Sequence, residues 1–108
     1  VGKIREFRDA RDWKQFHHPK DMAAGLAIEA AELMELFLWK NEQEQTEIVE
    51  TKREQIEDEL ADIGMFLLEL ADNLNVDLLT AIEAKMEKNA AKYPVEKSKG
   101  RSVKYTEL

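Results

Sequence analysis

Apolar residues recur at helical spacing along nearly the whole chain of 108 residues, and only four Gly and two Pro interrupt them. No stretch alternates strictly between apolar and polar as a half-buried strand does, so the pattern predicts an all-α fold. A first helix is expected over about residues 2 to 15, with Ile4, Phe7 and Arg11 in helical register and Trp13 and Phe16 at its exit. His17, His18 and Pro19 read as a connector. Asp21 is suited to cap a second helix reaching about Lys40, whose alanines at 23, 24, 27, 30 and 31 permit close helix approach. After a polar turn over 41 to 45, Thr46 is suited to cap one long helix to about Asn73, with Val49, Ile56, Leu60, Ile63, Leu67, Leu70 and Leu74 as its stripe. Asp77 is expected to cap a fourth helix over Leu78 to Lys92, ended by Pro94. Residues 1–94 then form one domain, and 95–108 a polar, extended C-terminal tail.

Such a chain is long enough for one small core and gains from oligomerisation. From Ile63 to Ala71 the third helix also carries Met65, Phe66 and Leu68 outside its stripe, as a helix covered on several sides would. The net charge of −7 argues against a nucleic-acid partner, because such a surface must neutralise phosphates. The absence of Cys removes disulfides and thiolate metal ligands and fits a reducing cytoplasm. No segment reads as a signal peptide or a membrane span. The chain begins at Val rather than Met, as a trimmed chain or fragment would.

One acid stands in the wrong place for a solvated helix. Met22, Leu26, Leu33, Leu36 and Phe37 share one face of the second helix, and Glu29 lies in the middle of that stripe. Burying a lone carboxylate costs several kcal/mol, so a raised pKa, a cationic side chain or a metal must compensate. Glu29 and Glu32 project together at i and i+3, as do Glu59 and Asp62 on the next long helix, so a helix pair can assemble four carboxylates. Two divalent cations would balance that charge, and all-oxygen donors suit Mg²⁺ or Mn²⁺. In a chain with 23 acids such pairs also arise by chance, and Glu35, Glu47/Glu50 and Glu54/Glu57 read as solvated faces.

Lys85, Asn89 and Lys92 lie in line at i, i+4 and i+7. By itself this strip reads first as a solvated face, and beside a metal centre as a phosphate-binding one. Trp13, Phe16, His17 and Trp39 flank the acid-bearing helices. A lone Trp most often fills a core, whereas near a nucleotide site it stacks on a base whose edge a His can read.

The string from Glu29 through Glu32 and Glu35 to Trp39-Lys40, followed by Asp58-Glu59-Leu-Ala-Asp62, resembles the all-α nucleoside triphosphate pyrophosphohydrolases of the MazG superfamily. Arg11-Asp12-Trp13, Phe16-His17, Lys85-Met86, Asn89, Tyr93-Pro94 and the terminal Lys104-Tyr105-Thr106-Glu107-Leu108 make it most similar to the dCTP pyrophosphatase branch. That resemblance implies a four- to five-helix bundle completed by dimerisation or tetramerisation, with sites formed between subunits. It implies Mg²⁺-dependent cleavage of dCTP, or a 5-modified dCTP, to the monophosphate and pyrophosphate. Glu29, Glu32, Glu59 and Asp62 match its metal ligands and catalytic acids; Lys85, Asn89, Lys92 and Tyr93 match the stretch that meets the phosphates; Trp13, His17, Trp39 and Phe66 match the surroundings of the base.

Four positions depart from the pattern. Ile28 stands at the first Glu of the E-E-x-x-E signature, Ile4 where that branch has His, Phe66 where it has Tyr, and Lys92 where it has Arg. Lys92 keeps the charge and loses the bidentate fork. The alternatives are a preference for dUTP or a broader set of triphosphates, and a helical module that binds nucleotide without cleaving it. A di-iron bundle is disfavoured because both His residues lie in the connector, outside any E-x-x-H pair.

Overall fold

The computed structural model describes residues 1–107, and among them it contains six α-helices and no strand. The helices are α1 (Gly2–Ala10), α2 (Pro19–Glu35), α3 (Glu42–Thr51), α4 (Arg53–Asn73), α5 (Leu78–Lys92) and α6 (Val95–Ser98), with 3₁₀ turns at Lys14–Phe16 and Tyr105–Glu107. The chain divides into two compact units, the first being Val1–Asn75 and the second beginning at Val76. None of the described helices is long and apolar enough to cross a membrane.

Within the first unit α2 lies along α4, and α1 and α3 both rest on α4. Gly25 meets Phe66, whereas Glu29 meets Glu59 and Asp62, so α2 and α4 run antiparallel. The approach is tight at Gly25, where a Cβ would stand 2.4 Å from Cε1 of Phe66. Among the described apolar residues only Met22 (2% exposed) and Ile48 (7%) are buried. Leu60, Met65, Leu67 and Leu68 of α4 are exposed, as are Phe16, Ile28 and Met34.

Several boundaries differ from those the spacing predicts, each for a local reason. The first helix stops at Ala10 instead of about residue 15, because Asp12 takes a left-handed conformation at φ 54°. The Asp12 N–H donates to the Asp9 carbonyl and the Trp13 N–H to the Arg8 carbonyl, the paired bonds of a Schellman stop. Asp21 lies inside the first turn of α2, and the cap position belongs to extended His18 with Pro19 at the first helical site, where a missing N–H costs nothing. The second helix ends at Glu35, short of Lys40. Leu36 and Phe37 there donate to carbonyls three residues back, and Trp39 turns left-handed at φ 62°.

The long helix expected from Thr46 to Asn73 is two helices. Lys52 leaves helical geometry at φ −114° and ψ 31°, which bends the chain between α3 and α4, and Ile48 of α3 is buried. Residues 41 to 45 therefore open α3 instead of forming a turn. Asn41 Oδ1 accepts from the Glu44 N–H at 2.8 Å while Glu44 Oε1 accepts from the Asn41 N–H at 3.1 Å, a complete capping box. Thr46, expected as a cap, instead donates its hydroxyl to the Glu42 carbonyl.

In the second unit α5 keeps its predicted bounds, and Asp77 Oδ1 accepts from the Thr80 N–H at 3.2 Å as a cap should. The segment after Pro94, expected to be extended, contains α6 and the final 3₁₀ turn. Tyr105 packs edge-on to Tyr93, with Lys92 Nζ 4.7 Å from the Tyr105 ring centroid. That aromatic clasp is what the composition of the tail did not reveal.

Candidate metal and nucleotide site

Glu29 of α2 and Glu59 and Asp62 of α4 each bring one carboxylate oxygen within 4.8 Å of the others. The antiparallel pairing does this directly, since residues three apart on a helix share a face and the two faces meet. Oε2 of Glu29 and Oε2 of Glu59 are buried without a hydrogen-bond partner. Glu32, exposed on the next turn of α2, stands at the rim beside Glu29 and Glu59. Burial, then the neighbouring carboxyl groups of Glu32, Glu59 and Asp62, pushes the Glu29 carboxyl up to about 7. Burial also raises that of Glu59. No Lys or Arg pairs with these acids among the salt bridges of the described residues.

Buried, unpartnered carboxylate oxygens are costly unless something cationic meets them. Three converging oxygen donors with no sulfur or imidazole among them fit a hard divalent cation. The residues present therefore suit the metal that the chain's resemblance implies.

Asp62 also lines a cavity of about 430 Å³ between α1, the connector and α4. Its wall includes Ile4, Phe7, Arg8, Trp13, His17, Met22, Met65, Phe66 and Glu69, and its volume falls in the range of small-molecule sites. The Schellman stop after α1 folds Trp13 back edge-on to Phe7, with ring centroids 5.8 Å apart, and the 3₁₀ turn brings His17 to 6.2 Å from Trp13. The Arg11 guanidinium covers the Phe7 ring at 3.7 Å. His17 Nδ1 lies 2.7 Å from Oε2 of buried Glu69. Arg8, also buried, donates from Nε to Asp9 and from Nη1 to Asn73, both at 2.9 Å.

Of the twelve residues singled out from the sequence, the structure gathers Glu29, Glu32, Glu59 and Asp62 in one cluster, and Trp13, His17 and Phe66 around the cavity beside it. Trp39 is not brought there; it is 90% exposed, on the left-handed turn after α2. Lys85, Asn89 and Lys92 share an exposed face of α5, and Tyr93 follows as its C-cap, all within the second unit. Sequence reasoning missed Phe7, Arg8, Met65 and Glu69. A signal existed for Glu69: it continues the line Asp62, Phe66 at i+7, on the face that already carried the acids.

Comparison with known proteins agrees with this geometry. Residues 25–108 match the MazG-like family model. Over 105 residues the chain is 42% identical to dCTP pyrophosphatase 1 of Bos taurus and 40% identical to that of Homo sapiens, covering 95% of this chain and 62% of each of those proteins. The chain thus spans somewhat less than two thirds of the curated relatives' length. A crystal structure of a pyrophosphatase from Archaeoglobus fulgidus superposes with a TM-score of 0.83 at 41% identity, over 86% of this chain and 87% of that one. An all-helical fold, clustered acids on paired helices and a match over residues 25–108 together place the chain in the MazG-like family.

Proposed function

We propose that the chain is the nucleotide-cleaving domain of a Mg²⁺-dependent nucleoside triphosphate pyrophosphohydrolase acting on dCTP or a 5-modified dCTP. The observation that carries this reading is the double membership of Asp62, which belongs both to the acidic cluster and to the wall of the aromatic cavity. A base held among Trp13, His17 and Phe66 therefore extends its phosphates toward the carboxylates. The similarity to dCTP pyrophosphatases supports the choice of substrate.

Glu29, Glu59 and Asp62, with Glu32 at the rim, would hold Mg²⁺, which when bound screens the phosphate oxygens and lowers the pKa of water. Glu29 or Glu32 would accept a proton from water as the water oxygen bonds to the α-phosphorus and the bond from the α-phosphorus to the bridging oxygen breaks, with pyrophosphate as leaving group. The resemblance assigns Lys85, Asn89, Lys92 and Tyr93 to the phosphates, in keeping with the cationic face of α5. Most of the barrier reduction is then electrostatic and positional. The exposed Leu60, Met65, Leu67 and Leu68 of α4 support assembly as a homodimer or homotetramer.

Pyrophosphate release from dCTP with Mg²⁺ tests this reading in Glu32→Gln and Asp62→Asn. Each variant is expected to lose more than the roughly 10- to 100-fold typical of outer-shell metal partners. Wild-type turnover in either would sink the metal-site assignment. A screen of all deoxy and ribo triphosphates, including 5-modified dCTP, reads the base preference.

A further inference from the structure

The cavity contains a charged side chain that the proposed cleavage does not use. Glu69 is 4% exposed and lies on α4, two turns beyond Asp62, with its Oε2 2.7 Å from Nδ1 of His17. Burying a carboxylate at the wall of a largely apolar cavity is expensive, so its partner matters. Buried Arg8 lies on the same cavity wall, so a guanidinium stands in the surroundings of the carboxylate. An ionised carboxylate only accepts, so the hydrogen between the two groups sits on His17 Nδ1. The other nitrogen of a neutral ring, Nε2, is then a lone-pair acceptor, and His17 lines the cavity.

Resting on the nucleotide-cleavage reading, we propose that Glu69 is a positioning residue that locks His17 in the Nδ1–H form, so that Nε2 accepts from the exocyclic amine of a base in the cavity and selects cytosine over uracil. The two bases differ at that position in the needed sense. Cytosine carries an N4 amine donor there, and uracil a carbonyl acceptor that faces the His17 lone pair with no hydrogen between them. Selection of this kind is strong because the mismatched base leaves two acceptors unpaired. Trp13, whose ring is tilted 51° to His17, supplies a face against which the base can stack without reading it.

The test compares kcat and KM for dCTP and dUTP in wild type, Glu69→Gln and His17→Phe, with circular dichroism to confirm folding and calorimetric nucleotide titrations alongside. The Gln amide is isosteric and can turn either its oxygen or its NH₂ to the imidazole, which releases the tautomer without removing side-chain volume. Glu69→Gln should lower the dCTP:dUTP ratio of kcat/KM by about 3- to 10-fold, through KM for dCTP more than kcat. His17→Phe should abolish most of the remaining preference. If Glu69→Gln does not fold, His17→Phe decides alone. A ratio unchanged in the folded variants, a parallel loss on both nucleotides, or a wild type that does not discriminate between them overturns the positioning role while leaving pyrophosphate release intact as a reading. If the wild type releases no pyrophosphate, the cleavage reading fails, and the ratio of dissociation constants for the two nucleotides then decides the role of Glu69 by the same criteria.

Discussion

Substituting Gly25 by Ala probes the helix contact on which the site depends. An added Cβ would stand 2.4 Å from Cε1, 2.8 Å from Cζ and 3.0 Å from Cδ1 of Phe66. Carbon atoms rest about 3.5–4.0 Å apart, so the ring must retreat by about 1 Å or more, or α2 and α4 must separate. Overpacking of this kind costs about 1–3 kcal/mol. Against it, Ala gains about 1 kcal/mol over Gly inside a helix. The net expectation is a loss of about 1 kcal/mol, or a fall in Tm of about 4–8 °C for a domain of this size.

Function should suffer with it, because Phe66 lines the cavity and α2 carries Glu29 one turn further along. Urea denaturation gives the stability, and calorimetric titration with dCTP and Mg²⁺ gives the binding. Phe66→Leu in the Gly25→Ala background restores room, so a double-mutant cycle should show favourable coupling of about 0.5–3 kcal/mol. A Gly25→Ala protein stabilised by the full helix-propensity gain with unchanged nucleotide binding, or strict additivity in the cycle, refutes the close-approach argument.

Further outcomes follow from the same structure. In EDTA, Glu29→Gln should gain stability relative to wild type as pH rises from 5 to 8. The wild-type carboxyl, held up to about 7, carries an extra proton over the unfolded chain between 4.5 and that value, so its folded state loses stability on deprotonation; a pH-independent difference in chemical denaturation argues against the buried cluster. Asp72 shows the opposite sign. Hydrogen bonding to Arg5 holds its carboxyl below the ordinary 3.8, so Asp72→Asn should be less stable than wild type at neutral pH, with the gap closing in acid titrations as pH falls below that value. Asn41→Ala removes the capping box of α3 and should cost about 1 kcal/mol, read as a lower denaturation midpoint; no change would mean that packing of Ile48 alone holds α3 in place.

What could be read from the residues had a local cause. The acid pairs at i and i+3 and the cap at Asp77 depend on spacing of a few residues, and the structure keeps them where the sequence put them. The misplaced boundaries depend on a competing signal. The Asp12 stop follows from a left-handed residue that is not Gly, and the break at Lys52 has neither Gly nor Pro to announce it. The alanines of α2 suggested close helix approach, and Gly25 beside them meets the Phe66 ring, a partner that the spacing within α2 does not name.

The sequence by itself determined that this chain is helical, that Glu29 could not be an ordinary surface acid, and that four acids in two pairs favour a divalent cation. Those conclusions need only the 3.6-residue period and the cost of burying charge. The tertiary structure alone decided that α2 and α4 run antiparallel at contact distance, that Asp62 belongs to two sites at once, and that Glu69 faces His17 across 52 positions of sequence. Contacts between distant residues arise from how helices pack, and packing is set by side-chain shapes on both partners, which periodicity along one strand of sequence does not encode.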